Sequence, residues 1–437
     1  MKMLPKCIPL LSLATSTVAQ GMPQEDASMI AYRAYGKFIK DFVTGGQTLQ
    51  KNQQYVYVTP PTEYFIRGGD PAPEAVTNFD LEARVDPLQS TESPLFEILN
   101  RPKYVDSLQF YPLKAQTGTR IPTETEQTKL SSLEIAFFTA LEKYNIELEK
   151  ATAAWSADAA AQAKGTALEV WAKTRAPLYL YYKDQQKQAW GRLMAYKREI
   201  EGVDSGLIND KILNIQEKAL LDTAPVPGYN MPVFPGDYEV KPVWSLEMKN
   251  IKAEDWTDMG FSSSVSKRGG GLFGLISKTK LTTKETTEFN QWSKEFRDEV
   301  SITLTLSGAP FIGNVAAGYW DVDARRMFPT LRPYETDPLV GNVRTQKFLV
   351  GYGVSLNITF TNMTTWNSVT KFVEEVRQDS SFGIRIFGIG FGSGGSRQSF
   401  RNKTDIKMDK IGDKGTIYIP PTPPGLTYML GALGSKI

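Results

Sequence analysis

Between Thr123 and Trp155 the residues Leu130, Leu133, Phe137, Leu141, Tyr144, Leu148, Ala151 and Trp155 recur at alternating steps of three and four. That spacing closes one stripe on a helix, whereas a strand needs a period of two. With Glu142, Lys143, Glu147, Glu149 and Lys150 around it, the stripe is a coiled-coil-like seam that has to find a partner helix. Pro122 precedes it, and Thr123 with Glu126 three residues on can form a capping box. After a loose centre, SADAAAQAKGTA, a second run keeps the same period through Leu168, Trp171, Arg175, Leu178, Tyr182, Ala189, Leu193, Tyr196 and Ile200, with Pro177 as an interruption. A third, shorter helix is expected from Ile208 to Leu221. Residues 123–224 therefore read as an antiparallel helical hairpin plus a short third helix.

Beyond Pro225 the period changes to two. Val300, Ile302, Leu304 and Leu306 alternate with Ser301, Thr303, Thr305 and Ser307, and Tyr352, Val354, Leu356, Ile358 and Phe360 alternate with small or polar residues. Such runs predict half-buried antiparallel strands. FGIRIFGIGFG loses its phase at Phe387, which predicts a bulge. One helix interrupts the set from Thr364, with Trp366, Val369, Phe372, Val373 and Val376 on one face. The chain closes with a strand and a proline-rich apolar tail. Residues 225–437 thus form a β-rich domain with one helix. Residues 20–122 are expected to be an irregular region with one helix, on which Ile30, Ala34, Phe38 and Phe42 share a side. The fold class is α+β, a long coiled-coil-like antiparallel helical hairpin joined to a C-terminal antiparallel β-sheet domain.

Residues 1–19 have the pattern of a secretory signal peptide. Lys2 and Lys6 precede an apolar run from Cys7 to Leu13, and Thr17-Val18-Ala19 supplies a small-residue cleavage site. The expected location is secreted or at the cell surface. Cleavage would remove the single cysteine and two of the 50 Lys and Arg, leaving 48 against 48 Asp and Glu. A balanced chain lacks the basic footprint of sequence-independent nucleic-acid binding, so no nucleic-acid partner is expected.

The chain has no histidine. Ser-His-Asp and Cys-His systems are excluded, and zinc, copper and haem sites lose their usual ligands. No metal or cofactor is implied, and the chain reads as non-enzymatic. Carboxylate chemistry remains, and Asp321 and Asp323 beside Trp320 are the local candidates for glycoside hydrolysis. No spacing rule distinguishes them from a solvated pair facing Arg325 and Arg326. Gly390, Gly392 and Gly395 match the spacing of a dinucleotide-binding loop, but no amphipathic helix follows to receive a pyrophosphate. A turn is the simpler reading. Asn357, Asn362 and Asn402 each open an N-x-Thr glycosylation triplet.

The stretch GGGLFGLISK, residues 269–278, fits none of these elements. Leu272, Phe273, Leu275 and Ile276 stand among glycines, and Lys267, Arg268 and Lys278 flank them. Apolar side chains can enter a lipid interface while lysine stems keep their charge at the headgroups. A loop folded back onto the protein is the competing reading. The tip resembles the glycine-spaced ends of viral fusion peptides. Its Ser/Thr arms resemble the insertion hairpins of β-pore-forming toxins, although strict alternation is absent before Val300. The expected function is that of a secreted non-catalytic protein acting through surfaces, at a membrane or as a pore former. The alternative is a self-assembling structural or adhesive surface protein, with a homo-oligomer formed through the helical rod or an open sheet edge.

Overall fold

The computed structural model describes residues 27–59, 65–67, 74–98, 101–114, 122–164, 166, 168–201, 240–247, 256–262, 276–278, 299–315, 324–327, 329–331, 335–378, 384–386, 389–391, 406–421 and 426–437. Residues 1–19 and the third helix expected at Ile208–Leu221 lie outside them. Among the described residues the chain is mixed helix and sheet, and every named strand pair is antiparallel. The elements run α1 (Ala27–Thr44), β1 (Gln54–Val58), β2 (Phe65–Arg67), α2 (Glu74–Val85), β3 (Gln89–Ser90), α3 (Tyr104–Lys114), α4 (Glu124–Ala157), α5 (Ala159–Ala163), α6 (Leu168–Arg175) and α7 (Pro177–Glu201). There follow β4 (Val240–Glu247), β5 (Ile276–Lys278), β6 (Val300–Ser307), β7 (Phe311–Asn314), α8 (Ala324–Met327), β8 (Asn342–Tyr352) and β9 (Ser355–Phe360). The last are α9 (Met363–Gln378), β10 (Ile384–Ile386), β11 (Ile389–Phe391), β12 (Lys407–Ile411), β13 (Lys414–Ile419) and β14 (Leu426–Lys436).

The long helix α4 is where the seam puts it. The expected capping box is formed: the Glu126 amide donates to Thr123 Oγ1 at 3.4 Å, and the Thr123 amide to Glu126 Oε2 at 2.8 Å. Phe137 meets Trp190 with ring centroids 5.1 Å apart, Tyr144 meets Tyr179 at 5.8 Å, and Lys129 lies over the Tyr196 ring at 4.1 Å. Rising numbers on α4 match falling numbers on α7, so the two helices pack antiparallel. Their core is a separate cluster that includes Leu130, Phe137, Tyr144, Trp155, Trp171, Trp190 and Leu193.

The turn between them is tied by indoles. Trp155 Nε1 donates to the Thr166 carbonyl at 2.8 Å, and Trp171 Nε1 donates to Asp158 Oδ2 at 2.9 Å. Asp158 Oδ1 accepts the Ala160 and Ala161 amides, each at 3.1 Å. The Trp171 indole and the Ala161 amide hold the Asp158 carboxyl below its usual range. The second run departs from expectation at Leu178, which is 58% exposed while Tyr179 is 2% exposed. Pro177 does not kink one helix. It opens a new one at the first helical position, where its missing amide costs nothing, and the phase of the apolar stripe restarts there.

Residues 27–114 form more than an irregular region with one helix. Among the described residues they carry three helices, and β1, β2 and β3 enter the same sheet as β14 and β8. On α1 the buried face is Ala31, Tyr35, Phe38 and Ile39, rotated from the stripe Ala34, Phe38, Phe42 that spacing suggested. The six-stranded sheet has the order β1-β14-β8-β3, with β2 beside β14 and β7 beside β8. What reads as a proline-rich tail ends in a central strand: β14 pairs with β1 through Val58↔Gly431 to Gln54↔Ser435 and with β8 along its other flank. A five-stranded sheet, β12-β13-β9-β6-β4, and a three-stranded sheet, β11-β10-β5, complete the strands.

The run Tyr352 to Phe360 is two strands in two sheets. Tyr352 ends β8, and β9 begins at Ser355 in the five-stranded sheet. Gly353, at φ +52°, makes the turn, and a Cβ there would come within 2.0 Å of Ser307 Oγ. Ile386 pairs with Ile389, so β10 and β11 run antiparallel, and Phe387, where a bulge is expected, lies outside the described residues. On α9, Trp366, Val369 and Val373 are buried as expected.

Truncating Trp190 to Ala removes a ring from the helical core and is expected to cost about 3–5 kcal/mol. The same change at Ile135, which is 66% exposed, is expected to cost less than about 0.5 kcal/mol. Urea unfolding followed by far-ultraviolet circular dichroism separates the two.

Candidate functional site

The segment around the glycine-rich stretch is anchored on both sides. Upstream, a single 3₁₀ turn, Trp256–Met259, buries Trp256 and Met259 completely or nearly so, at 0% and 1% exposure. Phe261 follows into the core, its ring 5.4 Å from both Tyr55 and Tyr57 of β1. Between them Gly260 has φ +96°, and a Cβ there would stand 2.2 Å from the Gln54 carbonyl oxygen, so no other residue lets the turn sit this close to β1. Downstream, β5 pairs with β10 through Ile276↔Ile386 and Lys278↔Ile384 and lies at the edge of its sheet.

Of the residues singled out for membrane contact, Ile276 and Lys278 therefore belong to a paired strand. Lys267, Arg268, Leu272, Phe273 and Leu275 lie outside the described residues, between the two anchors. Asp321, Asp323 and Asn402 also lie outside them. Arg325, beside that acid pair, binds elsewhere: its Nε donates to Asp337 Oδ2 at 2.6 Å. Among the described residues no helix is long and apolar enough to cross a membrane, and no group of three or more His, Cys, Asp or Glu side chains could hold a metal ion.

Asn357 and Asn362 differ sharply. Asn357 is exposed in the middle strand of the five-stranded sheet. Asn362 is the N-cap of α9: its Oδ1 accepts the amides of Thr364 and Thr365 at 2.8 and 3.3 Å, and its Nδ2 donates to Glu299 Oε1 at 2.8 Å.

Two features escaped sequence reasoning. The first is a second apolar surface on the helical pair. Ile135, Phe138 and Ile146 are 66%, 41% and 46% exposed on the side of α4 away from Phe137 and Tyr144, and Leu178 and Tyr181 of α7 are 58% and 54% exposed. The seam has a regular period. The outer residues, at steps of three and eight, look like scattered substitutions.

The second is a charge cluster where α2 meets α3. The Asp86 carbonyl accepts the Tyr104 amide at 2.9 Å, Asp86 Oδ1 accepts the Val105 amide at 3.3 Å, and the Leu88 amide reaches the Pro102 carbonyl at 2.8 Å. This junction gathers Glu82 and Asp86, both buried, with half-buried Lys103 and Asp106. Burial pushes the Glu82 carboxyl up to about 8 against the pull of Lys103. Burial also raises the Asp106 carboxyl. For Lys103 burial disfavours the ammonium, but Glu82, Asp106 and Asp86 together outweigh it and raise its pKa. The cluster sits where α2 is tied to α3. No local pattern announces it, because its members come from two elements that only the fold brings together.

No protein-family model matches the chain, and no curated protein or solved structure does so either.

The cluster makes stability depend on pH with an unusual sign. The folded protein holds the Glu82 proton more tightly than the unfolded chain, in which the group titrates near 4.5. Its contribution is therefore full below that value and is lost as pH rises through about 8. The melting temperature is expected to fall from about pH 5 to about pH 9, and Glu82→Gln is expected to flatten that slope. Thermal unfolding of both chains across the range checks this.

Proposed function

We propose that this is a secreted, non-catalytic protein that acts through its surfaces and engages a membrane with the segment 267–280. In this reading residues 1–19 are a cleaved leader. Leu272, Phe273 and Leu275 enter the lipid interface, while Lys267, Arg268 and Lys278 meet headgroup phosphates. The observation that carries it is the bracketing of an apolar, glycine-spaced, cation-flanked segment by two fixed ends, the buried turn at Trp256–Phe261 and the edge strand β5. A loop held at both ends on a rigid scaffold can present its tip without unfolding its supports. Pore formation is the further form of this reading, in which the Ser/Thr-rich arms around the tip extend β5 into a hairpin.

The second reading is self-assembly through the helical pair. The exposed stripe Ile135, Phe138 and Ile146 favours it, because a helix with apolar residues on opposite sides has one side left over after pairing.

Co-sedimentation of residues 20–437 with anionic and neutral liposomes, with dye release read in the same tube, tests the first reading. Binding is expected, and Leu272→Asp with Phe273→Asp is expected to abolish it. A chain that stays in the supernatant defeats membrane engagement. Sedimentation velocity over a wide concentration range without lipid tests the second: association is expected to weaken on Phe138→Glu, and a strictly monomeric species removes it.

A further inference from the structure

The five-stranded sheet turns Ile302, Leu304, Leu356, Ile358 and Ile417 toward the core, all at 0–1% exposure. On β6, β9 and β13 its other face carries hydroxyl and amide groups. Cross-strand pairing sets Thr303, Asn357 and Tyr418 in one row across β6, β9 and β13, and Ser301, Thr359 and Thr416 in the next. The Thr359 and Thr416 hydroxyls lie 3.4 Å apart. Asn357 is at the centre of this face and is exposed. Because side chains alternate along a strand, Asn357 and Thr359 point the same way. The two residues that define an N-x-Thr triplet thus share the solvated side, while Ile358 between them is buried.

The neighbouring triplet is used differently. Asn362 caps α9 with its carbonyl oxygen and gives its amide nitrogen to Glu299, whose other oxygen accepts from Thr365 Oγ1 at 3.3 Å. A sugar on that nitrogen would have to displace Glu299 from the start of the helix.

We infer that Asn357 carries an N-linked glycan, that Asn362 does not, and that the glycan lies over the hydroxyl-rich face with Tyr418 as its stacking ring. The sugar hydroxyls find Thr303 and Thr416 beside the attachment point, and Lys407, 5.9 Å from the Tyr418 ring, borders the row. A glycan there keeps this face solvated and closes it to protein partners, which leaves contact to the segment 267–280 or the helical pair. The inference rests on passage of the chain through a secretory pathway.

The test separates the site from that premise. The full chain is expressed in a glycosylating eukaryotic host in two forms, one with its own residues 1–19 and one with a leader of known function in their place. Enzymatic release of N-glycans in heavy-oxygen water leaves a mass mark on every asparagine that carried one. The tryptic peptide Phe348–Lys371 holds both triplets, and its fragmentation assigns the mark. The expected result is a mark on Asn357, none on Asn362, and loss of one glycan in Asn357→Gln. An unmarked Asn357 in secreted chain, or a mark on Asn362, overturns the inference. A chain secreted only with the substituted leader, yet marked at Asn357, upholds the site and removes the secretion reading of residues 1–19. Nitration of Tyr418 is expected to be several-fold slower before glycan release than after it, and equal rates overturn the stacking.

Discussion

The hydrogen-bond ladders on both flanks of the C-terminal strand are the constraint that the β-rich body depends on. β14 takes β1 and β2 along one side and β8 along the other, so residues near the start of the chain are held by residues at its end. Its register with β8 shifts at Leu430. The carbonyl freed there accepts the Tyr35 hydroxyl at 3.1 Å and the Thr59 amide at 3.1 Å. Burial and the neighbouring Tyr32 raise the Tyr35 pKa well above its ordinary value, so the hydroxyl keeps the proton it donates. Next to the shift, a Cβ on Gly431 would stand 2.6 Å from both Ile39 Cγ2 and the Tyr57 carbonyl, so the glycine allows α1 and β1 to close over the strand. Contacts this distant in sequence slow folding, because the sheet cannot close until its last strand is in place.

The helical pair stands on a different principle. Its core is its own cluster of large aromatics, and its contacts are local in sequence, with the turn tied by two indole hydrogen bonds. A unit that satisfies itself in this way is free to use its outer side. The β-rich body contributes fixed edges and fixed ends instead. The buried turn at Trp256 and the strand β5 stand before and after residues 263–275 in the chain. The glycine-spaced segment and the exposed residues Ile135, Phe138 and Ile146 of α4 thus belong to separate parts of the chain.

Periodicity made some elements legible and misled on others for identifiable reasons. The α4 seam, its capping box, the alternation of β6 and the buried face of α9 could all be read, because each depends on residues within a few turns of one another. Tyr352 to Phe360 kept perfect alternation across a turn at Gly353, so one pattern concealed a change of sheet. Prolines before Leu426–Lys436 give it the pattern of a tail, although it is the most extensively paired strand described. Leu178 fell out of its stripe because Pro177 reset the helical phase. At the candidate site, the composition of the segment 267–280 was visible at once. Its two anchors were not, since Phe261 meets β1 and β5 meets β10 only in the folded chain.

The sequence by itself determined what this protein lacks and where its regular elements run. Without histidine, a Ser-His-Asp or Cys-His system cannot be assembled from this chain, because chemistry needs the groups that perform it. Local periods of 3.6 and two placed the helices and strands that depend on near neighbours. The tertiary structure alone decided which strands pair, which asparagine is exposed and which is a cap, and which carboxylates are gathered around Lys103. Those outcomes depend on hydrogen bonds and burial between separate elements, from the neighbouring helices α2 and α3 to strands at the two ends of the chain, β1 and β14, and no local pattern carries that information.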